Sequence, residues 1–161
     1  MLSSKIKSLK ALKNLCQNLR KRRKRIVFTN GCFDLLHAGH VQYLEEARKQ
    51  GDVLIVALNS DASVRKIKGP SRPLVAQKDR LRVIAGLESV NYVCLFGEDT
   101  PINAIRSLKP DVLIKGADWK HRDIVGSEFV QSYGGKVATV KYMKGRSTSQ
   151  LIRKIASSSF K

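Results

Sequence analysis

Short apolar runs alternate with amphipathic segments along most of the chain. Five runs rich in apolar residues predict strands at 26–29, 53–58, 92–96, 112–115 and 136–140. The segments between and after them predict helices over 41–50, 77–88, 101–109, 127–133 and 149–156. Residues 53–58 are apolar throughout, which is typical of a strand buried on both faces of a parallel sheet. The alternation predicts an α/β fold with a doubly wound, five-stranded parallel sheet.

The first 24 residues have a different pattern. Apolar residues from Leu2 to Leu19 recur at steps of three and four, which predicts one helix with an apolar face. We therefore divide the chain into a basic amphipathic helix over 1–24 and an α/β domain over 25–161. Packing on the flank of the domain, binding to a membrane surface or a partner, and a transit peptide all fit this helix.

Charge and cysteine content narrow the classes of protein that fit. The 31 Lys+Arg and 13 Asp+Glu give a net charge of +18, which attracts polyanions such as nucleic acid, anionic lipid or phosphorylated small molecules. No apolar run approaches the roughly 20 residues of a membrane-spanning helix. The 3 cysteines are widely spaced and form no CxxC pair, which favours the reducing cytoplasm.

Candidate chemistry follows the first predicted strand, in residues 31–40 (GCFDLLHAGH). This segment matches neither the GxGxxG dinucleotide fingerprint nor the P-loop. It places His37 and His40 three residues apart where a helix begins, among unpaired backbone N–H groups that suit a phosphate. One alternative is a metal site formed by the two histidines with Cys32. The other is that both histidines are simply exposed to solvent.

Two motifs far apart in the chain resemble those of one enzyme family. Residues 31–40 resemble the signature of the HxGH nucleotidylyltransferase superfamily, which includes the cytidylyltransferases. Residues 145–149 (GRSTS) resemble the GxSTT/S segment that opens the last helix of this family. Between them, 59–61 (NSD), 79–80 (DR) and 115–119 (KGADW) are similar to further family segments.

The segment 68–74 (KGPSRPL) is most similar to one branch, the ADP-heptose synthase domain or heptose 1-phosphate adenylyltransferase. It opens the longest stretch without a regular pattern, 68–76, where a binding loop is expected. The cytidylyltransferase branch carries an Arg-Thr pair ahead of GxST, whereas Tyr142, Met143 and Lys144 stand here. This difference favours ATP over CTP.

The resemblance implies a Rossmann-like sheet with strand order 3-2-1-4-5 and a role for each matched residue. Catalytic roles fall on His37, His40 and Lys68. Contacts to the nucleotide and its phosphates fall on Gly31, Phe33, Asp34, Gly39, Arg80, Ser147, Thr148 and Ser149. Asp118 is expected on the ribose or acceptor side. Mg²⁺ is expected to arrive with ATP, held mainly by phosphates and water, without a metal site built from protein ligands.

The implied reaction is adenylyl transfer from ATP to a sugar 1-phosphate, expected to be D-glycero-β-D-manno-heptose 1-phosphate. It yields an ADP-sugar for lipopolysaccharide or another cell-surface glycan, and pyrophosphate. The alternatives are a cytidylyltransferase acting on glycerol 3-phosphate or a similar alcohol phosphate, and a basic module that binds nucleic acid. We expect a cytoplasmic homodimer without a membrane span, whose partners are ATP and the sugar phosphate rather than nucleic acid.

Overall fold

A computed structural model describes residues 2–120, 123–141 and 145–158. These residues form one five-stranded parallel sheet in the order β3-β2-β1-β4-β5, which confirms the predicted fold and strand order. The strands are β1 (Ile26–Gly31), β2 (Val53–Asn59), β3 (Tyr92–Phe96), β4 (Val112–Gly116) and β5 (Lys136–Val140). The strand order reverses between β1 and β4, and open α/β sheets bind ligands beyond the carboxyl ends of the strands at such a point.

Helices connect the strands and flank the sheet. They are α1 (Leu2–Lys5), α2 (Leu9–Lys21), α3 (Ala38–Arg48), α4 (Asp61–Lys68), α5 (Gln77–Ala85), α6 (Ile102–Leu108), α7 (Ser127–Ser132) and α8 (Thr148–Ser157). The helix α4 has no counterpart in the sequence prediction. Among the described residues, no helix combines the length and apolar character needed to cross a membrane.

The single helix predicted over 2–19 is wrong, because the chain breaks between α1 and α2. Ile6 leaves the helix to form a parallel bridge with Val93 of β3. Ser8 then caps α2, accepting a hydrogen bond from the backbone N–H of Ala11 at 3.2 Å. Both events depend on contacts or capping geometry that the apolar spacing does not encode.

Alternating side chains of the strands build a core on each face of the sheet. Phe28 of β1 and Leu113 of β4 lie on the α2 side, with Leu12 and Cys16 of that helix. Both α2 side chains are 0% exposed, so the helix is part of the packed core. The opposite face holds a second cluster built with α3 and α5, which includes Val27, Tyr43, Leu44, Leu54, Val56, Ile84 and Ile114.

At the amino ends of the strands, two carboxylates fix the start of β1. Asp52 accepts a hydrogen bond from the N–H of Arg25, and Asp111 accepts one from the N–H of Ile26, both at 2.7 Å. A cleft of about 400 Å³ opens beside them, which we call the amino-end cleft. It is lined by Arg20, Arg23, Lys24, Arg25, Asp111, Tyr133, Gly134, Gly135 and Lys136.

Candidate active site

The turn that follows β1 is tight and places the first motif. Phe33 adopts the left-handed conformation (φ 46°), an uncommon one for a non-glycine residue, and its ring is buried. Gly31 makes this conformation fit, because a Cβ there would lie 2.9 Å from Phe33 Cε2. The sequence thus sets a compact turn whose exit leads directly into α3.

His37 and His40 meet at the start of α3. His37 occupies the N-cap position in an extended conformation, and its ring stacks on that of His40 with centroids 4.0 Å apart. The Phe33 ring lies 5.4 Å from the His40 ring, centroid to centroid. The Nδ1 atoms of both histidines are buried and have no hydrogen-bond partner among the described residues. The pair therefore holds unsatisfied nitrogen atoms, a feature that native structures rarely leave without a reason.

The surroundings lower the pKa of both imidazoles, which favours their neutral forms. Burial, with a smaller contribution from His37, lowers the pKa of His40 to about 4. Burial and the charge of Arg146 hold the pKa of His37 below its usual value. A bound phosphate would raise both pKa values, because its negative charge stabilises the protonated ring. A bound anion would therefore be stabilised by protonation of the histidine pair.

Gly39 permits the stacked arrangement. It is the second residue of α3, and a Cβ there would lie 3.0 Å from His37 Cε1 and Nδ1. The same Cβ would lie 3.3 Å from Cβ of Arg146, in the segment that precedes α8. Any side chain at position 39 would therefore push apart the imidazole and the second motif.

The second motif docks on the first through α8. Thr148 Oγ1 donates a hydrogen bond to the carbonyl of Leu35 at 3.0 Å. Ser147 caps α8, accepting a hydrogen bond from the N–H of Gln150, and the exposed Ser149 follows in the first turn. The N-terminus of α8, with its free N–H groups, consequently faces the loop that carries the histidines.

Asp34 points into the protein rather than toward an open site. Its buried carboxylate accepts hydrogen bonds from Arg72 Nε at 2.6 Å and from the N–H groups of Leu74 and Val75 at 2.9 and 2.8 Å. Burial alone would raise the pKa of Asp34, but these donors hold it below its usual value. The residue thus anchors the loop 69–76 against the turn after β1.

Arg80 is likewise engaged by protein oxygens. Its side chain is almost completely buried, at 1% exposure. It donates to the carbonyls of Val75, Cys32 and Asn59 and to the carboxylate of Asp61. These contacts join the carboxyl ends of β1 and β2 to α4, so the guanidinium is placed to position the loops rather than to reach a phosphate directly.

The remaining predicted site residues lie at the rim. Lys68 is the exposed last residue of α4 rather than part of an irregular loop, which corrects the sequence prediction. Burial raises the pKa of the Cys32 thiol and the charge of Lys68 partly opposes this rise, so Lys68 lies near the turn after β1. Asp118 is exposed in the turn after β4, where its charge acts on the ammonium group of Lys115. Residues 142–144, on which the predicted preference for ATP over CTP rests, lie outside the described residues.

Lys115 has no role predicted from the sequence, although the segment 115–119 resembles a family segment. Its Nζ lies 3.5 Å from the carbonyl of Asn30 and 5.5 Å from the centroid of the Trp119 ring. A lysine that ends an apolar strand next to the reversal of strand order is the signal that would have found it. Among the described residues, no three His, Cys, Asp or Glu side chains are arranged to hold a metal ion.

Comparisons with known proteins agree with the paired motifs. The family model described as cytidylyltransferase-like matches residues 28–158. The bifunctional protein HldE of Methylobacillus flagellatus is 55% identical over 155 residues, which is 96% of this chain and 32% of that protein. The HldE of Geotalea uraniireducens is 51% identical over 158 residues, 98% of this chain and 32% of that protein. The chain thus spans about a third of the length of these curated relatives.

Solved structures show the same architecture. The lipopolysaccharide core biosynthesis protein from Thermoplasma volcanium is 30% identical with a TM-score of 0.60, and the match covers 76% of this chain and 99% of that one. The pantoate-beta-alanine ligase of Francisella tularensis, at 16% identity and a TM-score of 0.59, shares the fold over 89% of this chain and 68% of that one. Motifs, fold and comparisons together show that the chain belongs to the cytidylyltransferase-like family of nucleotidyltransferases.

Proposed function

We propose that the chain transfers the adenylyl group of ATP to D-glycero-β-D-manno-heptose 1-phosphate, giving ADP-heptose and pyrophosphate. The observation that carries nucleotidyl transfer is the docking of α8 on the turn before α3, where Thr148 Oγ1 bonds the Leu35 carbonyl beside the stacked His37 and His40. The segment 68–74 and the likeness to a lipopolysaccharide core biosynthesis protein support a heptose acceptor in glycan precursor synthesis.

The chemistry requires charge stabilisation more than proton transfer. A phosphate oxygen of the acceptor attacks the α-phosphorus of ATP, and the bond from that phosphorus to the pyrophosphate oxygen breaks. The attacking monoester is mostly dianionic at neutral pH, because its second pKa is about 6, and pyrophosphate leaves as an anion. The reaction therefore needs donors and cations placed around the phosphates, with no general base.

The described residues supply such groups. His37 and His40 each carry one ring N–H as neutral imidazoles and would donate to the phosphates at the reacting centre. Ser147, Thr148 and the free N–H groups that begin α8 would hold the β- and γ-phosphates. Lys68 would contact a phosphate from the rim of the site. Asp34 and Arg80 would act indirectly, by fixing the loops that carry these groups.

Mg²⁺ is proposed to enter with ATP, retained by phosphate oxygens and water. When bound there, it neutralises phosphate charge. The buried carboxylate of Asp34 is occupied by Arg72 and two backbone N–H groups, so the donor set fits a metal carried by the nucleotide. The predicted homodimer and cytoplasmic location stay predictions.

A pyrophosphate-release assay tests the proposal. Purified protein is incubated with Mg²⁺, one of ATP, CTP, GTP or UTP, and either heptose 1-phosphate or glycerol 3-phosphate. We expect turnover with ATP and heptose 1-phosphate, and little with CTP. Turnover with CTP and glycerol 3-phosphate alone would instead establish the cytidylyltransferase alternative, and product mass spectra identify the nucleotide transferred.

A further inference from the structure

Lys115 is the last residue but one of β4, at the point where the strand order reverses. Leu113 packs on the α2 face of the sheet, whereas Val112 and Ile114 pack on the α3 face. Since successive side chains of a strand alternate between faces, Lys115 extends from the same face as Leu113. The ammonium group therefore lies on the side of the sheet opposite the helix that carries the histidines.

Asn30 occupies the matching position in β1, the last residue but one of that strand. Phe28 packs on the α2 face, and the hydroxyl of Thr29 bonds Tyr43 of α3 at 2.7 Å on the other face. Alternation then directs Asn30 to the face of Lys115. Its Oδ1 atom is buried and has no hydrogen-bond partner among the described residues. A cation and an unsatisfied acceptor thus lie together at the crevice between β1 and β4.

The charge of Lys115 is poorly compensated by the protein. Its described contacts are the Asn30 carbonyl at 3.5 Å, a long hydrogen bond, and the face of Trp119. Burial lowers the pKa of the ammonium to about 8, with Asp118 and Cys32 acting in the opposite direction. No carboxylate among the described residues lies within ion-pair distance of it. A cation that has lost water without gaining an ion pair is costly, and an arriving anion would remove that cost.

The placement also separates two substrates. The proposed triphosphate site is formed by α3 and the start of α8. Lys115 and Asn30 lie on the opposite face of the sheet from α3. In-line displacement requires the attacking and leaving oxygens on opposite sides of the α-phosphorus. The group that approaches from the side of Lys115 is therefore the acceptor.

We propose that Lys115 binds the phosphate of the sugar 1-phosphate acceptor and that Asn30 Oδ1 accepts a hydrogen bond from a hydroxyl group of the sugar. This inference rests on the proposed function for the identity of the acceptor. The shared crevice makes Lys115 a determinant of acceptor affinity rather than of ATP affinity.

Steady-state kinetics of Lys115→Met and Lys115→Arg test the assignment, with Lys136→Met as control. Lys136 is an exposed lysine at the amino end of β5, at the far end of the same sheet. We expect Lys115→Met to raise the KM for the sugar 1-phosphate about 10- to 100-fold, since a charge-assisted hydrogen bond is lost. The KM for ATP should stay within about twofold, and Lys115→Arg should recover part of the acceptor affinity. Equal rises in both KM values, or none, would overturn the proposal.

The pH profile gives a readout that a structural lysine would not change. In the wild type, kcat/KM for the acceptor should fall as pH rises through about 8, because the free enzyme loses the ammonium proton. That limb should be absent in Lys115→Met and displaced to higher pH in Lys115→Arg. Retention of the limb in Lys115→Met would assign it to another group and contradict the proposal.

Cys32 offers a test that needs no turnover. It is half-buried near Lys115, and burial raises the pKa of its thiol, whereas Cys16 and Cys94 are buried with pKa values raised to about 11 and 12 by desolvation. We expect inorganic phosphate to slow alkylation of wild-type Cys32 by iodoacetamide, and to slow it much less in Lys115→Met. If ATP turnover fails while this protection holds, the proposed function falls but the anion site stands. Absence of protection in the wild type removes the anion site, and this outcome can be read even if Lys115→Met does not fold.

Discussion

The two ends of the parallel sheet differ in how their polar groups are satisfied. At the amino ends, Asp52 and Asp111 bind the backbone of β1, and the cations of the amino-end cleft are mostly exposed. The carboxyl ends hold buried polar atoms without partners among the described residues, Oδ1 of Asn30 and Nδ1 of His37 and His40. Positive charge is abundant at the first end, yet the second has the features of a binding site. Unsatisfied buried polar atoms therefore mark the site better than charge does.

Removing Arg80 should give the largest effect, on stability. Arg80→Met leaves three carbonyls and the Asp61 carboxylate without their hydrogen-bond donor. Loss of one partner of a buried ion pair typically lowers the free energy of unfolding by about 3–5 kcal/mol. Urea unfolding measures it, with Arg82→Met on the exposed face of the same helix as control. A variant as stable as the wild type but with a raised KM for ATP would return Arg80 to a direct role in phosphate binding.

The histidine pair should control turnover. We expect His37→Ala and His40→Ala each to lower kcat about 10²–10³-fold, or roughly 2.7–4 kcal/mol, as for a lost donor to developing charge. The double variant should lose less than the product of the single losses, because both act on one charge. Gln42→Ala, at an exposed position of α3, is the control. Near-normal kcat in folded single variants would contradict a catalytic role for the histidines at the carboxyl ends of the strands.

Acid should weaken the fold through His40. Its pKa is about 4 in the folded state and near 6.5 when unfolded, so between these values the unfolded chain binds more protons. The free energy of unfolding should therefore fall as pH decreases from 6.5 to 4. The share due to His40 is about 1–3 kcal/mol, discounted for partial exposure of the ring. Denaturant titrations at pH 7, 5.5 and 4 should show a shallower decline in His40→Ala, and equal declines would contradict the shifted pKa.

At the amino ends, Asp111→Ala should affect stability without changing chemistry. The N–H of Ile26 loses its acceptor, which costs about 1–3 kcal/mol for a buried donor. Asp99→Ala, which breaks an exposed pair with Lys66, serves as the matched control and should cost at most about 1 kcal/mol. Thermal unfolding and kcat are measured on the same samples. A loss of kcat comparable to that of the histidine variants would erase the contrast between the two ends.

The smallest effects are expected from Arg23→Ala and Arg25→Ala in the amino-end cleft. Both residues are exposed, and such substitutions usually change stability by no more than about 0.5 kcal/mol. Turnover should stay within about twofold of the wild type. Nucleic-acid binding is measured alongside by fluorescence anisotropy at two salt concentrations. Tight nucleic-acid binding that persists at high salt and is lost in both variants would show that the amino-end cleft binds nucleic acid.

The sequence predicts the strands well because their pattern leaves few alternatives. All seven residues of β2 are buried, and only a central parallel strand satisfies such a run. The eight-residue α4 was missed because it buries only Ser63 and Val64, too few positions to show a helical period. The break before α2 depends on the pairing of Ile6 with Val93, a contact distant in sequence.

The site was predictable where a motif is local and unpredictable where partners are chosen by packing. The resemblance named the two segments that the structure brings together. It assigned Asp34 and Arg80 to the nucleotide, whereas the structure gives them protein partners 5 to 48 residues away in the chain. Lys115 went unnoticed because only the strand order reveals that β4 lies beside β1.

The helix α8 has a consequence for nucleotide affinity. No described residue of α8 is buried, and the helix is held at its start by the Thr148 hydroxyl and the Ser147 cap. Segments with few buried contacts open locally at low free energy, so its amide protons should exchange with solvent much faster than those of β2. Under the proposed function, the observed dissociation constant of ATP should equal its intrinsic value divided by the fraction of molecules with α8 docked. We therefore expect a local unfolding equilibrium to set part of the nucleotide affinity, and bound ATP to slow hydrogen exchange in α8 while leaving β2 unchanged.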